Sequence, residues 1–423
     1  MKEKVYHIPS KNLSNPTQTA KTNGFIDSLI QNRHLFGHGD QILWLFVALL
    51  MPISLLAIFS ATLDQEPTVM LMKQAMAILA GLILLAAIRL VPNHWFSHVF
   101  WTNSLAILVV ALIIYASKFG HIGGGASSWI KIGGFQFQPS ELFKIVMILI
   151  WSRFLTDSKK SFILSLEKSR LWKYILPMLL LLVGLFFIFR QPDLGTTVIT
   201  AAVAFGLTMV YLWSTKQNLI FLTIMMPALS IIFFVGKKLA ASFAESGSHM
   251  LQRIGSYFDP FAYQHGIGYQ VIQSYKAIAK GGLVGVGIGQ GTVKNLLPEA
   301  HTDFILAVIA EEGGLLAAGC VIIILMALVF YLLRVASSMN KRFHRISITG
   351  FAILILIQTF VNIGGLSGLI PLTGVTLPFV SYGGSSMMIN LLMIGIVQKF
   401  VAEEEQMRLQ AQASHANFKK GEL

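Results

Sequence analysis

The sequence is poor in charged residues. Only 12% of its 423 residues are charged, whereas about a quarter are charged in ordinary soluble proteins. Hydrophobic residues make up 55% of the chain, and the mean hydropathy is +0.68. This composition excludes an ordinary soluble globular protein and predicts a polytopic membrane protein.

Cysteine is nearly absent as well. The single cysteine, Cys320, lies in an apolar segment, which excludes an intramolecular disulfide and a cysteine metal cluster. Acidic residues are fewer than basic ones, 19 against 32, and the net charge is +13. No basic stripe, zinc-ligand spacing or aromatic-basic motif accompanies that charge, so we predict no nucleic-acid partner.

The first 40 residues lack the apolar segment of a signal peptide and are interpreted as a cytoplasmic tail. Apolar runs of about 20 residues then predict an all-α polytopic membrane protein, a bundle of about ten transmembrane helices with one large extracellular loop. The predicted organisation is an N-terminal tail (1–40), a membrane domain (41–402) and a cytoplasmic C-terminal tail (403–423). The predicted spans are 41–61, 69–90, 99–117, 139–155, 173–189, 195–213, 218–236, 302–334, 346–364 and 383–401.

Basic residues set the predicted orientation. Most lie on one side of the predicted membrane, and six are crowded between the fourth and fifth spans: Arg153, Lys159, Lys160, Lys168, Arg170 and Lys173. The positive-inside rule therefore places both termini in the cytoplasm. The large loop (237–301) then lies outside, and its glycine-rich part is interpreted as backbone that bends sharply and packs beside the membrane surface.

Residues 297–307 (LPEAHTDFILA) carry two acids and a histidine to the membrane boundary. We expect Pro298 to open a helix, with Asp303 above a strip of small residues at Ala307, Ala310 and Gly314. Asp303 is either a functional carboxylate or an acid that complements the helix dipole. Glu311 and Glu312 follow on the same helix, and the sequence does not identify their partners.

Two other groups of charges fall at the outer ends of predicted spans. Glu141 and Lys144 lie on one helix face, where they form either a local ion pair or a polar site. A lysine within a span costs about 2.5–3.5 kcal/mol unless it faces a polar interior. Arg190 and Asp193 flank Pro192 in a short hairpin, where they either pair with each other or bind substrate, since the guanidinium fork suits phosphate.

Metal and hydrolase sites are not supported by spacing. His301 and Asp303 are two residues apart, which places them on different faces of a helix, so a His/Asp metal site is not indicated. The sequence implies no particular cofactor, and it leaves open whether a divalent cation is needed. Ser385 and Ser386 show no nucleophile motif and are expected to satisfy backbone groups at the start of the last span.

Several motifs, in order, closely resemble the SEDS family (shape, elongation, division and sporulation), which includes the FtsW, RodA and SpoVE proteins. The motifs are residues 138–144 (QPSELFK), 190–196 (RQPDLGT), 259–260 (DP), 268–270 (GYQ), 297–307 and 371–386 (PLTGVTLPFVSYGGSS). The polar N-terminal tail and residues 374–378 resemble the division protein FtsW more than RodA.

The resemblance implies a peptidoglycan glycosyltransferase that polymerises lipid II at the outer face of a bacterial cell membrane, at the division septum. It implies Asp303 as the catalytic residue, and we predict Lys144, Glu141, Arg190, Asp193 and His301 as substrate-binding. The implied partners are lipid II, the nascent glycan strand, a class B penicillin-binding protein and other membrane proteins of the divisome.

Three alternatives remain at this point. The first is a RodA-type polymerase of cell elongation. The second is a transporter, a lipid II flippase, because ten spans with intramembrane Glu and Lys are compatible with transport. The third is a scaffold without chemistry that recruits a transpeptidase.

Overall fold

The computed structural model describes residues 40–421, apart from residues 65, 124–125, 133–134, 162–171 and 245–248. The predicted N-terminal tail therefore lies outside the described residues, except for Asp40. The described residues form thirteen α-helices, three short strands and one 3-10 helix. In chain order they are α1 Gln41–Ala61, α2 Pro67–Ile88, α3 Asn93–Ser97, α4 Val99–Phe119, β1 His121–Gly123, β2 Ala126–Ile132, β3 Phe135–Phe137, α5 Pro139–Ser161, α6 Trp172–Arg190, α7 Leu194–Tyr211, α8 Thr215–Ala244, α9 His249–Phe258, α10 Ile267–Gly281, the 3-10 helix Val293–Leu296, α11 Ile305–Ser338, α12 Arg342–Leu366 and α13 Gly384–Gly421.

Eight of these helices are long and apolar enough to cross a membrane: α1, α2, α4, α7, α8, α11, α12 and α13. The other two predicted spans are also helical. Helix α5 carries several charged residues, and the apolar part of α6 is the shorter segment Ile175–Arg190. The predicted fold class, a helical polytopic membrane bundle, is confirmed.

Burial in this bundle is the reverse of that in a soluble protein. The apolar stretch of α8 has no buried residue, and Phe234 is 69% exposed. Polar side chains such as Gln358 and Asn362 are instead buried inside the bundle. An apolar surface of this extent is suited to lipid.

Asp40 joins the start of α1 to two other helices. Its carboxylate accepts hydrogen bonds from the backbone N–H groups of Ile42 and Leu43, which caps the start of α1. Tyr331 of α11 donates to the same carboxylate over 2.5 Å. Gln398 of α13 exchanges two hydrogen bonds with the Asp40 backbone. The start of α1 is therefore tied to α11 and α13 at one face of the bundle.

The opposite face carries the long connections, and we call it the loop face. It holds the three-stranded sheet β1–β2–β3, helices α9 and α10, and residues 367–383. The sheet is antiparallel throughout and was not predicted from the sequence. Helix α10 packs against α11, and its Ser274 donates to the carbonyl of Leu366 at the end of α12.

The largest differences from the predicted helix boundaries are at three places. Helix α8 continues to Ala244, beyond the predicted span end at 236, and α13 continues to Gly421, so the predicted C-terminal tail is helical as far as that residue. The prediction that Pro298 opens a helix is wrong. Residues 298–304 form turns, and α11 begins only at Ile305.

Helix α11 is broken at Gly314, whose φ of 70° and ψ of −177° are not helical. The glycine segment, residues 281–291, fills the break. Val286 and Gly287 donate backbone hydrogen bonds to the carbonyls of Glu311 and Glu312, and Leu315 donates back to Gly282. The backbone groups freed by the break are thus paired within the protein, as a membrane requires.

Candidate functional site

Asp303 lies on the loop face, two residues before α11 begins. Its carboxylate accepts a hydrogen bond of 3.1 Å from the Thr302 hydroxyl. Its backbone carbonyl accepts one of 2.8 Å from the Asn362 amide, which also donates to the carbonyl of Val375 over 2.7 Å. Asn362 is buried on α12. It therefore fixes the Asp303 backbone relative to residues 367–383.

The Asp303 carboxyl titrates far from its ordinary range. Burial raises its pKa to about 6, and the nearby charge of Glu299 acts in the same direction. The hydrogen bond from Thr302 and the positive charge of Arg253 oppose this rise in pKa. A carboxylate with a pKa near neutrality is suited to accept a proton from a substrate hydroxyl.

Arg253 is the residue of this site that the sequence did not reveal. It lies on α9, far from Asp303 in the chain, and both side chains approach Gly374. A Cβ atom placed on Gly374 would lie 3.5 Å from Nη1 of Arg253 and 3.8 Å from Oδ2 of Asp303. The one available signal was a basic residue just before the motif at 259–260, and only the folded loop shows what it faces.

His301 is half-buried and lies two residues before Asp303 in the sequence. Its ring contacts that of Tyr382 at a centroid distance of 5.2 Å, and its carbonyl accepts a hydrogen bond of 2.8 Å from the Tyr382 backbone. Burial lowers the pKa of its imidazole, so the ring is neutral at pH 7. The predicted substrate-binding residue is therefore also a link between the Asp303 turn and residues 367–383.

Glu141 and Lys144 form a buried ion pair of 2.8 Å on α5. Lys144 also lines a cavity of about 10 Å³ together with Thr200, Leu207 and Leu354. A cavity of this size holds about one water molecule. The local ion pair considered from the sequence is present, and it occupies a buried position within the bundle.

Asp193 lies near this pair. The Asp193 carboxylate accepts hydrogen bonds from the backbone of Thr196 and the amide of Gln138, both 3.0 Å long, and so caps α7. Burial raises its pKa, and the charges of Glu141 and Lys144 both act on it. Arg190 is exposed at the end of α6, and no ion pair joins it to Asp193 in the described part of the chain.

Residues 367–383 connect the two groups of predicted site residues. Gly195, at the start of α7, packs so closely on this segment that a Cβ atom would lie 2.5 Å from Val375 and 3.1 Å from the carbonyl of Thr373. The intervening residue, Gly374, faces Arg253 and Asp303. One short segment therefore separates the Asp193 group from Asp303, so both border the same region of the loop face.

Glu311 and Glu312 have complete sets of partners. Glu311 accepts hydrogen bonds from the backbone N–H groups of Thr292, Val293 and Lys294, and it pairs with Lys280 over 3.1 Å. Glu312 pairs with Lys294 over 2.6 Å and accepts a hydrogen bond from Ser60. These acids fasten the 3-10 helix and α1 to the broken part of α11.

Among the described residues, no three His, Cys, Asp or Glu side chains are grouped so that they could hold a metal ion. The chemistry that these residues can supply is that of a buried carboxylate, a nearby guanidinium and a buried lysine. Such groups suit proton removal from a hydroxyl and the binding of a phosphate-containing group.

Comparison with known proteins gives consistent results. A family model described as cell cycle protein, covering FtsW, RodA and SpoVE, matches residues 40–406. The probable peptidoglycan glycosyltransferase FtsW of Bacillus subtilis (strain 168) is 36% identical over 363 residues, which are 83% of this chain and 87% of the relative. The peptidoglycan glycosyltransferase MrdB of Escherichia coli (strain K12) is 33% identical over 364 residues, 85% of this chain and 92% of the relative.

Solved structures share the fold. One is from a study of how a peptidoglycan synthase complex coordinates polymerization and crosslinking. It matches with a TM-score of 0.68 and 26% identity, covering 87% of this chain and 99% of the other. The rod shape determining protein RodA of Thermus thermophilus matches with a TM-score of 0.61 and 24% identity, covering 86% of this chain and 97% of the other.

Proposed function

The chain belongs to the FtsW, RodA and SpoVE family of cell cycle proteins, and from this premise we propose that it is a peptidoglycan glycosyltransferase that polymerises lipid II. The observation that carries the proposal is Asp303. It is a carboxyl at the end of a membrane span, with a pKa raised to about 6 and a guanidinium nearby. Similarity to named peptidoglycan glycosyltransferases supports the same reaction.

In the proposed reaction a sugar hydroxyl attacks the anomeric carbon of a second, lipid-linked sugar. The new carbon–oxygen bond forms as the bond to the diphosphate breaks, and the bonding electron pair leaves with the diphosphate oxygen. Asp303 accepts the proton of the attacking hydroxyl as the general base. Glu141, Lys144, Asp193, Arg190 and His301 belong to the substrate-binding surface in this proposal, and a divalent cation would be bound through the diphosphate.

The proposed location is the bacterial cell membrane, with both termini in the cytoplasm and the loop face outside. The distribution of basic residues supports this orientation. The solved synthase complex supports a crosslinking partner, for which a single-span class B penicillin-binding protein is the candidate. Resemblance to FtsW favours the division septum and other divisome proteins, and an elongation role is the alternative.

One observation favours a second function, lipid II transport. Transporter sites are often built from broken helices, and α11 is broken at Gly314. However, the break is filled by the glycine segment, and the backbone groups at the break have protein partners. Asp303 and its neighbours lie at one face rather than at mid-membrane. The break is therefore better explained as a support for the loop face.

Purified protein and lipid II distinguish these functions. We expect glycan strands in detergent, with yield increased by the crosslinking partner. Parallel reactions with magnesium and with a chelator determine the need for a divalent cation. Movement of lipid II across vesicles without any polymer would contradict the proposal and identify a flippase. Absence of both activities, with the partner present, would indicate a scaffold.

A further inference from the structure

The diphosphate needs positive charge beside it when it leaves. The two cations predicted from the sequence, Lys144 and Arg190, supply little positive charge near Asp303. Lys144 is held by Glu141 in a buried ion pair of 2.8 Å. Arg190 is exposed at the end of α6. The positive charge that lowers the pKa of the Asp303 carboxyl, against the effect of burial, is that of Arg253.

Arg253 differs from Lys144 in having no partner, and from Arg190 in being half-buried rather than exposed. Its side chain is half-buried on α9. Within the described part of the chain its guanidinium makes no hydrogen bond and no ion pair, either with Asp303 or with another residue. A partly buried guanidinium is normally hydrogen-bonded, because leaving its donors unpaired costs free energy. An unpartnered guanidinium at a reaction site is suited to an anionic ligand.

The geometry around Gly374 fits a displacement reaction. The attacking oxygen and the leaving oxygen lie on opposite sides of the sugar carbon, so the base and the cation must flank one point without pairing. Arg253 Nη1 and Asp303 Oδ2 approach the position above Gly374 to 3.5 Å and 3.8 Å. Gly374 has a φ of 73° and no side chain, which leaves that position open.

We propose that Arg253 binds the diphosphate of the donor lipid and stabilises the negative charge that develops on it as the glycosidic bond forms. This inference rests on the proposed glycosyltransferase function. The planar guanidinium can donate two parallel hydrogen bonds to phosphate oxygens, which an ammonium group cannot do. Because α9 lies outside the membrane spans, its Arg253 can meet a diphosphate at the lipid headgroup level.

The test compares Arg253→Gln and Arg253→Lys with wild type, and uses Lys276→Gln on the exposed side of α10 as a matched loss of one charge. We expect Arg253→Gln to lower kcat for lipid II by about 10²–10³-fold, the usual effect of losing one donor to a developing negative charge. Arg253→Lys should recover part of this loss, and Lys276→Gln should stay near wild type.

A second readout measures the diphosphate site without turnover. Inorganic pyrophosphate should raise the thermal unfolding midpoint of wild type, as any ligand of the folded state does, and should inhibit polymerisation. In Arg253→Gln, at least about tenfold more pyrophosphate should be needed for the same rise in the unfolding midpoint and for the same inhibition. Equal pyrophosphate binding by wild type and Arg253→Gln would overturn the inference, even if the variant were inactive, since Arg253 would then act only on Asp303.

The same experiment separates this inference from the function on which it rests. If wild type makes no polymer, the proposed function fails, and pyrophosphate binding still reports on Arg253. If wild type polymerises lipid II and Arg253→Gln does so within a few-fold of its rate, only the Arg253 inference fails.

Discussion

Three acids on one chain segment differ in how many hydrogen-bond and ion-pair partners they have. Glu311 and Glu312 lie in the broken part of α11, where backbone N–H groups, two lysines and a serine satisfy them. Asp303, eight residues earlier, has one hydroxyl donor and a pKa raised by burial to about 6. The acids with complete partners hold the fold, whereas the acid left without them is available for chemistry.

The largest expected effect comes from removing the proton acceptor. Asp303→Asn keeps the shape and hydrogen bonding of the side chain, so the variant should fold and bind lipid II but polymerise it about 10²–10⁴-fold more slowly. Glu299→Gln, an exposed acid of the same turn, is the matched control and should stay near wild type. If Asp303→Asn retains a rate within a few-fold of wild type, the base lies elsewhere, with Asp193 and Glu141 as the next candidates.

Removing one of the satisfied acids should affect stability first. Glu312→Ala leaves Lys294 buried without its partner, which typically costs about 3–5 kcal/mol. The midpoint of thermal unfolding in detergent should fall markedly. The double variant Glu312→Leu with Lys294→Met, which removes both charges, should recover much of the loss. An unchanged midpoint in Glu312→Ala would show that this pair does not hold the fold.

The Glu141–Lys144 ion pair is buried, as the Glu312–Lys294 pair is, which suits a structural role. It also lies near Asp193, which suits a role in the proposed substrate-binding surface. We expect Lys144→Ala to abolish polymerisation in a protein that remains folded. The combination Glu141→Ala with Lys144→Ala decides between the two roles. If the pair is only structural, the double variant should be no worse than either single variant, and retained activity there would contradict a substrate-binding role for Lys144.

The raised pKa of Asp303 also predicts how the stability of the protein depends on pH. Because the pKa of Asp303 is raised in the folded state to about 6, its ionised form destabilises the fold at higher pH. Asp303→Asn should therefore be more stable than wild type above about pH 6, by roughly 3 kcal/mol. This advantage should decline as pH falls from 6 towards 4, where the wild-type carboxyl is protonated. A loss of stability in Asp303→Asn at pH 8 would contradict the raised pKa.

The sequence predicted the helices well, because hydropathy sets the spans, and it placed Asp303 at the end of a span; the catalytic role of Asp303 stays a prediction. It could not predict the partners of Glu311, since these are backbone N–H groups of residues 292–294, which no side-chain pattern reveals. Arg253 was missed for a related reason, because only the folding of α9 over Gly374 brings it to Asp303.

The error at Pro298 also has a physical cause. Proline suits both the first turn of a helix and a β-turn, so its presence alone does not distinguish them. Glu299 has a φ of 55°, which is incompatible with a continuing helix. Asp303 is consequently held in a turn and by Asn362 rather than on a helix face. The strip of small residues predicted beneath it belongs to α11, which begins after it.

The smallest expected effect is at Lys280. Its side chain is 36% exposed, and a partly exposed ion pair typically contributes about 0–1 kcal/mol. After Lys280→Ala, the Glu311 carboxylate keeps three backbone N–H donors, so it is not left unsatisfied. We expect a loss of less than about 1 kcal/mol and nearly normal polymerisation, with Lys276→Ala on the same helix as the control. A loss as large as that of Glu312→Ala would mean that the lysine, and not the backbone, holds Glu311. The glycine segment would then depend on an exposed contact.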